Sequence, residues 1–379
     1  MKLLLFTSTK AVHSHRWLQS LSDGFEVHVA AFSVPPDQRC AGVIYHELKP
    51  LQTGVDLGAP KEVLQHSIAH EARLTLKNGL RYGRAFARLV DAIRPDIIHA
   101  HQSVPFGWYA FCGRLFARHK PALIVSTWGT DVVTYPEKSV LFRILNNIVL
   151  SRAKVITATS QHLAKATRRW TGQKNILVIP FGVDTQLFSK KTAIRDRAEV
   201  FGMAKQLRFV GGVDIYGFFK AIRALKIARV SCPYMRLEIA GSGPEEAQLK
   251  QMVAALGLKN AVTFLGHREH SQLADTMRRW DVLLLPSERE SFGVVAVEAL
   301  SIGLPVVGSA IDGIPEIIES GQTGILLKDY SPLQLAEAMR SVKPALQQRA
   351  HRLGPEIAAK RFSWNESVQK MRAVYEALS

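Results

Sequence analysis

The chain has 379 residues, 47% hydrophobic and 21% charged, and 49 Lys plus Arg against 32 Asp plus Glu give a net charge of +17. That length suits two domains of ordinary size, and the composition excludes a fibrous or disordered chain. The charge excess suits an anionic partner: a phosphorylated small molecule, an acidic lipid surface or nucleic acid. Nucleic acid is set aside, because no aromatic-basic interleaving or zinc spacing accompanies the charge.

The opening "MKLLLFTSTK" turns polar after a short apolar run, which is too short for a signal-peptide core, so it reads as a first buried strand. Short apolar runs then alternate with helical patterns along the whole chain. Strands are expected at residues 3–6, 27–30, 97–100, 123–127, 155–158 and 176–179 in the first half, and at 208–212, 236–240, 262–265, 282–285, 306–308 and 324–327 in the second. This alternation is the signature of parallel sheets covered by helices, an α/β chain of two doubly wound Rossmann-like domains meeting across a cleft. A polar stretch around 189–197 reads as the linker, giving domains 1–188 and 189–361. The cysteines Cys40, Cys112 and Cys232 are widely separated, with no metal-ligand spacing, which points to a cytoplasmic setting. No apolar stretch has the length of a membrane-spanning helix.

Between the second and third expected strands, Lys77, Arg81, Arg84 and Arg88 share one stripe of a helix, beside an apolar stripe of Tyr82, Phe86, Leu89 and Ile93. That is the layout of an interfacial helix on the inner face of the cytoplasmic membrane. It is equally the layout of a helix packed on the protein's own core with a solvated basic face. Residues 143–174 add seven Lys or Arg and no acid.

Open parallel sheets bind ligands beyond the carboxyl ends of their strands. The polar motifs lie there: "HAHQSVPFG" after Ala100, "TWGTD" near Thr127, "PFGVD" after Ile179, "AGSGPE" after Ile239, "GHREH" after Leu265 and "PSERESFG" after Leu285. In the last, Glu290 and Glu298 have seven residues between them, with a helix expected from about Gly293 to Gly303. The backbone N–H groups of Phe292, Gly293 and Val294 at that helix start suit a phosphate. A carboxylate is a poor neighbour for phosphate but a good acceptor for vicinal sugar hydroxyls, so a phosphate site flanked by two glutamates describes a nucleotide sugar. The plainer alternative is that Glu290 complements the helix dipole and Glu298 is a solvated helix residue.

The segment "ESFGVVAVEALSIGLPVVGSAIDGIPEII" resembles the Glu-x7-Glu region of retaining glycosyltransferases of family four, which have the GT-B fold. The likeness extends through "AGSGPEEAQLK", "VTFLGHREHSQLADTMRRWDVLLLPS", "IPFGVDTQLF", "DIIHAHQSVPFGWYA" and "RFSWNESVQKMRAVYEAL". It implies that Glu298 holds ribose hydroxyls, Glu290 holds the donor sugar, Phe292, Gly293 and Val294 contact sugar or diphosphate, and Gly266, His267 and Arg268 frame the base. It also implies that a closing helix within 362–379 returns to the first domain. The donor is then a UDP- or GDP-linked sugar and the acceptor a saccharide or lipid-linked hydroxyl, with no metal or other cofactor required.

The chain departs from the family pattern in two places. Members similar to this one carry an Arg after the first glycine of the second domain's opening strand and a Lys soon after. On the strand expected at 208–212, Gly211 is followed by Gly212 at the Arg position, and no Arg or Lys lies between Arg208 and Lys220. Lys220 or Arg16 is the expected substitute; the remaining readings are a slow enzyme gripping its donor by backbone amides, or a silent scaffold. In the first domain "STWGTD" has Trp128 where many relatives have His, leaving Asp131 or His101 to contact the sugar. An Asp in that setting also caps helices, and "HAH" also suits strand-end packing. The expected activity is transfer of a hexose with retention of configuration, in the assembly of surface polysaccharide, lipopolysaccharide or lipid-linked glycan.

Overall fold

The computed structural model describes residues 1–9, 12–35, 38–48, 68–190, 194–207 and 213–378. The chain divides into two compact units, Met1–Pro180 with Ser367–Ser379, and Phe181–Glu366. The division thus falls a little before the 188/189 boundary read from the linker.

The first unit contains a parallel sheet of seven strands: β1 (Lys2–Phe6), β2 (Glu26–Ala31), β3 (Val43–Glu47), β4 (Ile97–His101), β5 (Ala122–Thr127), β6 (Val155–Ala158) and β7 (Ile176–Val178). Their order is β3-β2-β1-β4-β5-β6-β7. The order reverses between β1 and β4, where Leu3 faces Ile97 and Phe6 faces Ala100. Buried apolar runs such as Leu3–Phe6 are what a strand covered on both faces requires. The edge strand β3, half-exposed along its length, lacks such a run.

One face of this sheet is covered by helices Ile68–Ile93, Trp108–Phe116 and Val140–Arg152, which share a core of Phe6, Phe86, Tyr109 and Leu150. Phe6 and Phe86 stack with ring centroids 4.9 Å apart. Tyr82 and Phe86 are therefore buried in the protein's own core, and Leu89 and Ile93 pack against it. Of the two readings of this helix, the apolar stripe follows the second and packs on the protein's own core, so only the opposite, basic face is left to solvent. The solvent face of the helix carries Lys77, Arg84 and Arg88 with Leu76 and Leu80, the two leucines 43% and 59% exposed.

The second unit has β8 (Val200–Ala204), β9 (Arg236–Ala240), β10 (Val262–Gly266), β11 (Val282–Leu285), β12 (Val306–Ser309) and β13 (Gly324–Leu327) in a parallel sheet ordered β10-β9-β8-β11-β12-β13. Its opening strand is β8, not the expected 208–212 segment, which lies outside the described residues together with Gly211 and Gly212. β8 pairs on both sides, Phe201 with Leu237 and with Val282. Gly202 is required within it, because a Cβ there would lie 1.9 Å from the Trp280 ring.

The closing helix, Trp364–Glu376, begins in the second unit and ends in the first. At its start Trp364 N–H donates to the Val183 carbonyl at 3.0 Å, and Val183 N–H to the Phe362 carbonyl at 2.8 Å. Gly182 permits this approach, since a Cβ would meet Trp364 Cα at 2.4 Å. Farther along, the Tyr375 hydroxyl lies 2.6 Å from His99 Nδ1 on β4.

Candidate active site

The second unit's site is assembled where its strand order reverses, at the carboxyl ends of β8 and β11. Lys205 follows β8 directly, and its ammonium is hydrogen-bonded to Glu290 Oε2. A basic side chain thus stands at the end of β8, three residues before the span between Arg208 and Lys220 that has none. Burial is the largest single influence on this ammonium and acts to lower its pKa. The charge and hydrogen bond of Glu290, with Tyr216 and Glu298 behind them, outweigh it, and Lys205 is held above the ordinary lysine range.

Backbone packing fixes Lys205. Its N–H donates to the Ala240 carbonyl at 3.2 Å, and Leu207 N–H donates to the Ser242 carbonyl at 3.1 Å. The glycines of "AGSGPE" permit this contact: a Cβ on Gly241 would lie 2.0 Å from the Lys205 carbonyl oxygen, and one on Gly243 2.1 Å from that of Leu207. Glu290 is held from the other side, its N–H donating to Asp312 Oδ2 at 2.9 Å and its carbonyl accepting from Gly313 N–H at 3.2 Å.

The helix after Glu290 runs Val294–Ile302, preceded by Gly293 in the left-handed region at φ 94°. That backbone turn is one that glycine adopts at no steric cost. The first amides of the helix have no intrahelical acceptor, a geometry that suits an anion. Phe292 is buried against Phe362, with centroids 5.8 Å apart, so its ring anchors the turn.

Glu298 lies in the second turn and is 4% exposed, which removes the reading of a solvated helix residue. A buried carboxylate requires a partner. It has one in His270, whose Nε2 is 2.8 Å from Oε1 and whose ring rests on Phe188 with centroids 4.8 Å apart. His270 begins the helix His270–Arg279 and is a site residue that the sequence reading did not single out. Before it, Gly266 has φ 71° and open space where a Cβ would project, while exposed His267 pairs with Glu269 at 3.2 Å. Arg268 carries a buried Nε with no hydrogen-bond partner among the described residues. Lys220, on the helix Phe218–Ala228, pairs with Glu288 at 2.7 Å and lies 4.3 Å above the Tyr330 ring. Lys205 and Lys220 are thus each bound to an acid of the segment that carries Glu288 and Glu290.

The first unit has a polar cluster at its own reversal point, the ends of β1 and β4. His101 Nδ1 is 2.9 Å from Thr7 Oγ1, which is in turn 2.7 Å from Ser14 Oγ. Trp128 leans on His101 with centroids 4.7 Å apart. Burial, and then the neighbouring His99, push the His101 pKa well below the usual histidine range, so the ring is neutral near pH 7. Asp131 is fully buried, and burial raises its pKa against the opposing effect of its hydrogen bonds. It accepts from the N–H groups of Ser103 at 2.8 Å, Gly129 at 2.9 Å and Trp128 at 3.2 Å, and from the Ser103 hydroxyl. Asp131 therefore organises the loop bearing Trp128, and its carboxylate is not open to solvent. Arg16 lies half-buried on the helix Val12–Leu21.

Comparison with known proteins places these features in a family. The model for glycosyl transferases group 1 matches residues 184–356, and that for glycosyltransferase family 4 matches residues 11–187. Among curated proteins, N-acetyl-alpha-D-glucosaminyl L-malate synthase of Bacillus anthracis is 27% identical over 240 residues, 61% of either chain. Other matched curated relatives are covered over 48% and 42% of their length, so the alignments span about half of these proteins. Among solved structures, sucrose-phosphate synthase from Thermosynechococcus elongatus superposes with a TM-score of 0.79 at 20% identity, covering 100% of this chain and 99% of the other. The Anabaena protein HepE, solved with UDP-glucose, superposes with a TM-score of 0.74 at 22% identity over 100% of both chains. With the two models together spanning almost the whole chain, the protein belongs to the group 1, family-four glycosyltransferases and has their GT-B fold.

Proposed function

We propose that the protein transfers a hexose from a UDP- or GDP-linked donor to a hydroxyl of a saccharide or lipid-linked acceptor, with retention of configuration. The observation that carries this reading is the constellation of Lys205, Glu290, the Gly293 helix start, Glu298 and His270 beyond the carboxyl ends of one sheet. Lys205 and the amides at Gly293 and Val294 meet the diphosphate. Once Lys205 turns to phosphate, Glu290 accepts hydrogen bonds from the sugar, while Glu298, oriented by His270, accepts from the ribose. Gly266 leaves room for the base and Arg268 supplies a donor beside it. On the acceptor side, neutral His101 suits hydrogen bonding rather than proton shuttling, and Trp128 offers an aromatic face.

In the reaction the bond from sugar C1 to the phosphate oxygen breaks and one from C1 to the acceptor oxygen forms on the same face. The acceptor's proton passes to the departing diphosphate, whose charge is met by Lys205 and the helix start. The scaffold reading rested on the lack of a basic group beside the phosphate site, and Lys205 removes that ground. We further propose peripheral contact with an anionic leaflet through the solvent face of the helix Ile68–Ile93, where Lys77 and Arg84 lie beside Leu76 and Leu80. No described helix is long and apolar enough to cross a membrane. Proton NMR of the product formed from an α-linked donor tests the central reading. An α-anomeric product is expected, and a β-linked product rejects retention.

A further inference from the structure

At the opposite end of the first sheet from His101, the end of the helix Ile68–Ile93 and the loops that precede β4 and β5 border an open concavity of about 600 Å3 lined by Asp91, Arg94, Arg118, His119 and Lys120. Its lining contains three permanent cations and one carboxylate. Asp91 Oδ1 accepts the backbone N–H groups of Arg118 at 2.8 Å and His119 at 2.9 Å, so the acid shapes the loop that presents the cations. Among the described residues no acid pairs with the guanidinium of Arg94 or Arg118. His119 Nε2–H donates to the Pro95 carbonyl at 2.6 Å, which ties the loop before β5 to the loop before β4. Lys120 Nζ donates to the Arg114 and Leu115 carbonyls at 2.6 and 2.9 Å and retains a third N–H.

Arg94 sits at φ 51°, in the left-handed region where glycine or asparagine is favoured at the end of a helix. The backbone thus accepts an unfavourable conformation at the residue that brings a guanidinium to this concavity. Lys120 ties the concavity to the end of the helix Trp108–Phe116, where Leu115 and Phe116 are 55% and 44% exposed. The Arg84 guanidinium lies 5.7 Å over the Phe116 ring, so the basic face of the helix Ile68–Ile93 reaches the same corner.

We propose that this concavity is a phosphate-binding site whose occupant is the headgroup phosphate of an anionic phospholipid, with Leu115 and Phe116 meeting the acyl region. Arg94 and Arg118 provide the fork geometry that phosphate oxygens accept, and Lys120 adds a point charge. The lipid identity rests on the membrane reading above; the phosphate site does not. The test measures binding of the full chain to phosphatidylcholine vesicles with and without phosphatidylglycerol, and separately to soluble glycerol 3-phosphate. The variants are Arg94→Ala/Arg118→Ala and a charge-matched control, Arg168→Ala/Arg169→Ala, all confirmed folded by thermal melting.

The expected result is a loss of about tenfold or more in affinity for the anionic vesicles in the first variant and of less than about twofold in the control. Glycerol 3-phosphate binding lost in the first variant, without vesicle binding by the wild type, would keep the phosphate site, assign it a soluble occupant and remove the membrane reading. Equal losses in both variants, or no binding of either probe by the wild type, would overturn the proposal.

Discussion

Replacing Lys205 by methionine keeps most of the side-chain volume and removes the ammonium that pairs with Glu290. Two effects follow and are separable. In the free protein Glu290 loses its counter-ion in a site where the two side chains are only 17% and 13% accessible. A fully buried pair broken in this way costs about 3–5 kcal/mol, and residual water contact reduces that to about 2 kcal/mol here. For a unit the size of residues 181–366, that is a fall in melting temperature of roughly 4–8 °C. During turnover the departing diphosphate loses a preorganised cation, a loss of about 3–4 kcal/mol in the transition state, or roughly 100- to 1,000-fold in kcat. Lys205→Arg retains the charge and preserves most of both. Steady-state kinetics on the donor and differential scanning calorimetry read the two effects. A Lys205→Met protein that turns over within about threefold of wild type would refute the placement of Lys205 at the leaving group.

Glu298→Ala removes an acceptor for two ribose hydroxyls and is expected to weaken nucleotide binding roughly 100-fold, at about 1.5 kcal/mol per charged hydrogen bond; unchanged affinity by calorimetry would remove Glu298 from the ribose site. Tyr375→Phe removes the hydroxyl 2.6 Å from buried His99 and should destabilise the first unit by about 1–3 kcal/mol while leaving nucleotide affinity intact; a melt identical to wild type contradicts that coupling. Burial depresses the His99 pKa to about 3, and His101 is depressed in the same direction. The unfolded chain therefore binds protons that the folded one does not once the pH falls below about 6.5, and folded stability falls with it. His99 alone contributes a loss of roughly 2 kcal/mol by pH 5, and a denaturation midpoint constant from pH 7 to 5 would contradict it.

The two glutamates were legible in the sequence because charge is conspicuous at the carboxyl end of an apolar strand, and their spacing puts one before and one within the helix that follows. Lys205 was not. Gly202 interrupts the apolar run of β8, and its reason for being there is the Trp280 ring, brought beside it only by the folded sheet. The pairing of His270 with Glu298 likewise joins two helices with no sequence pattern between them. The stripe of Tyr82 and Phe86 showed a helix with one apolar side, but periodicity carries no information on whether that side meets lipid or the protein's own Phe6 and Tyr109. At Asp131 the residue type suggested chemistry, and only burial revealed a loop organiser bound to Ser103, Trp128 and Gly129.

The central claim is that the carboxyl end of the second sheet, bearing Lys205, Glu290 and Glu298, is a donor site. Calorimetric titration of the purified protein with a panel of UDP- and GDP-sugars tests it most directly. The account predicts saturable one-to-one binding of at least one donor, weakened in Glu298→Ala and in Lys205→Met. Absence of binding to every donor by the wild-type protein would contradict it.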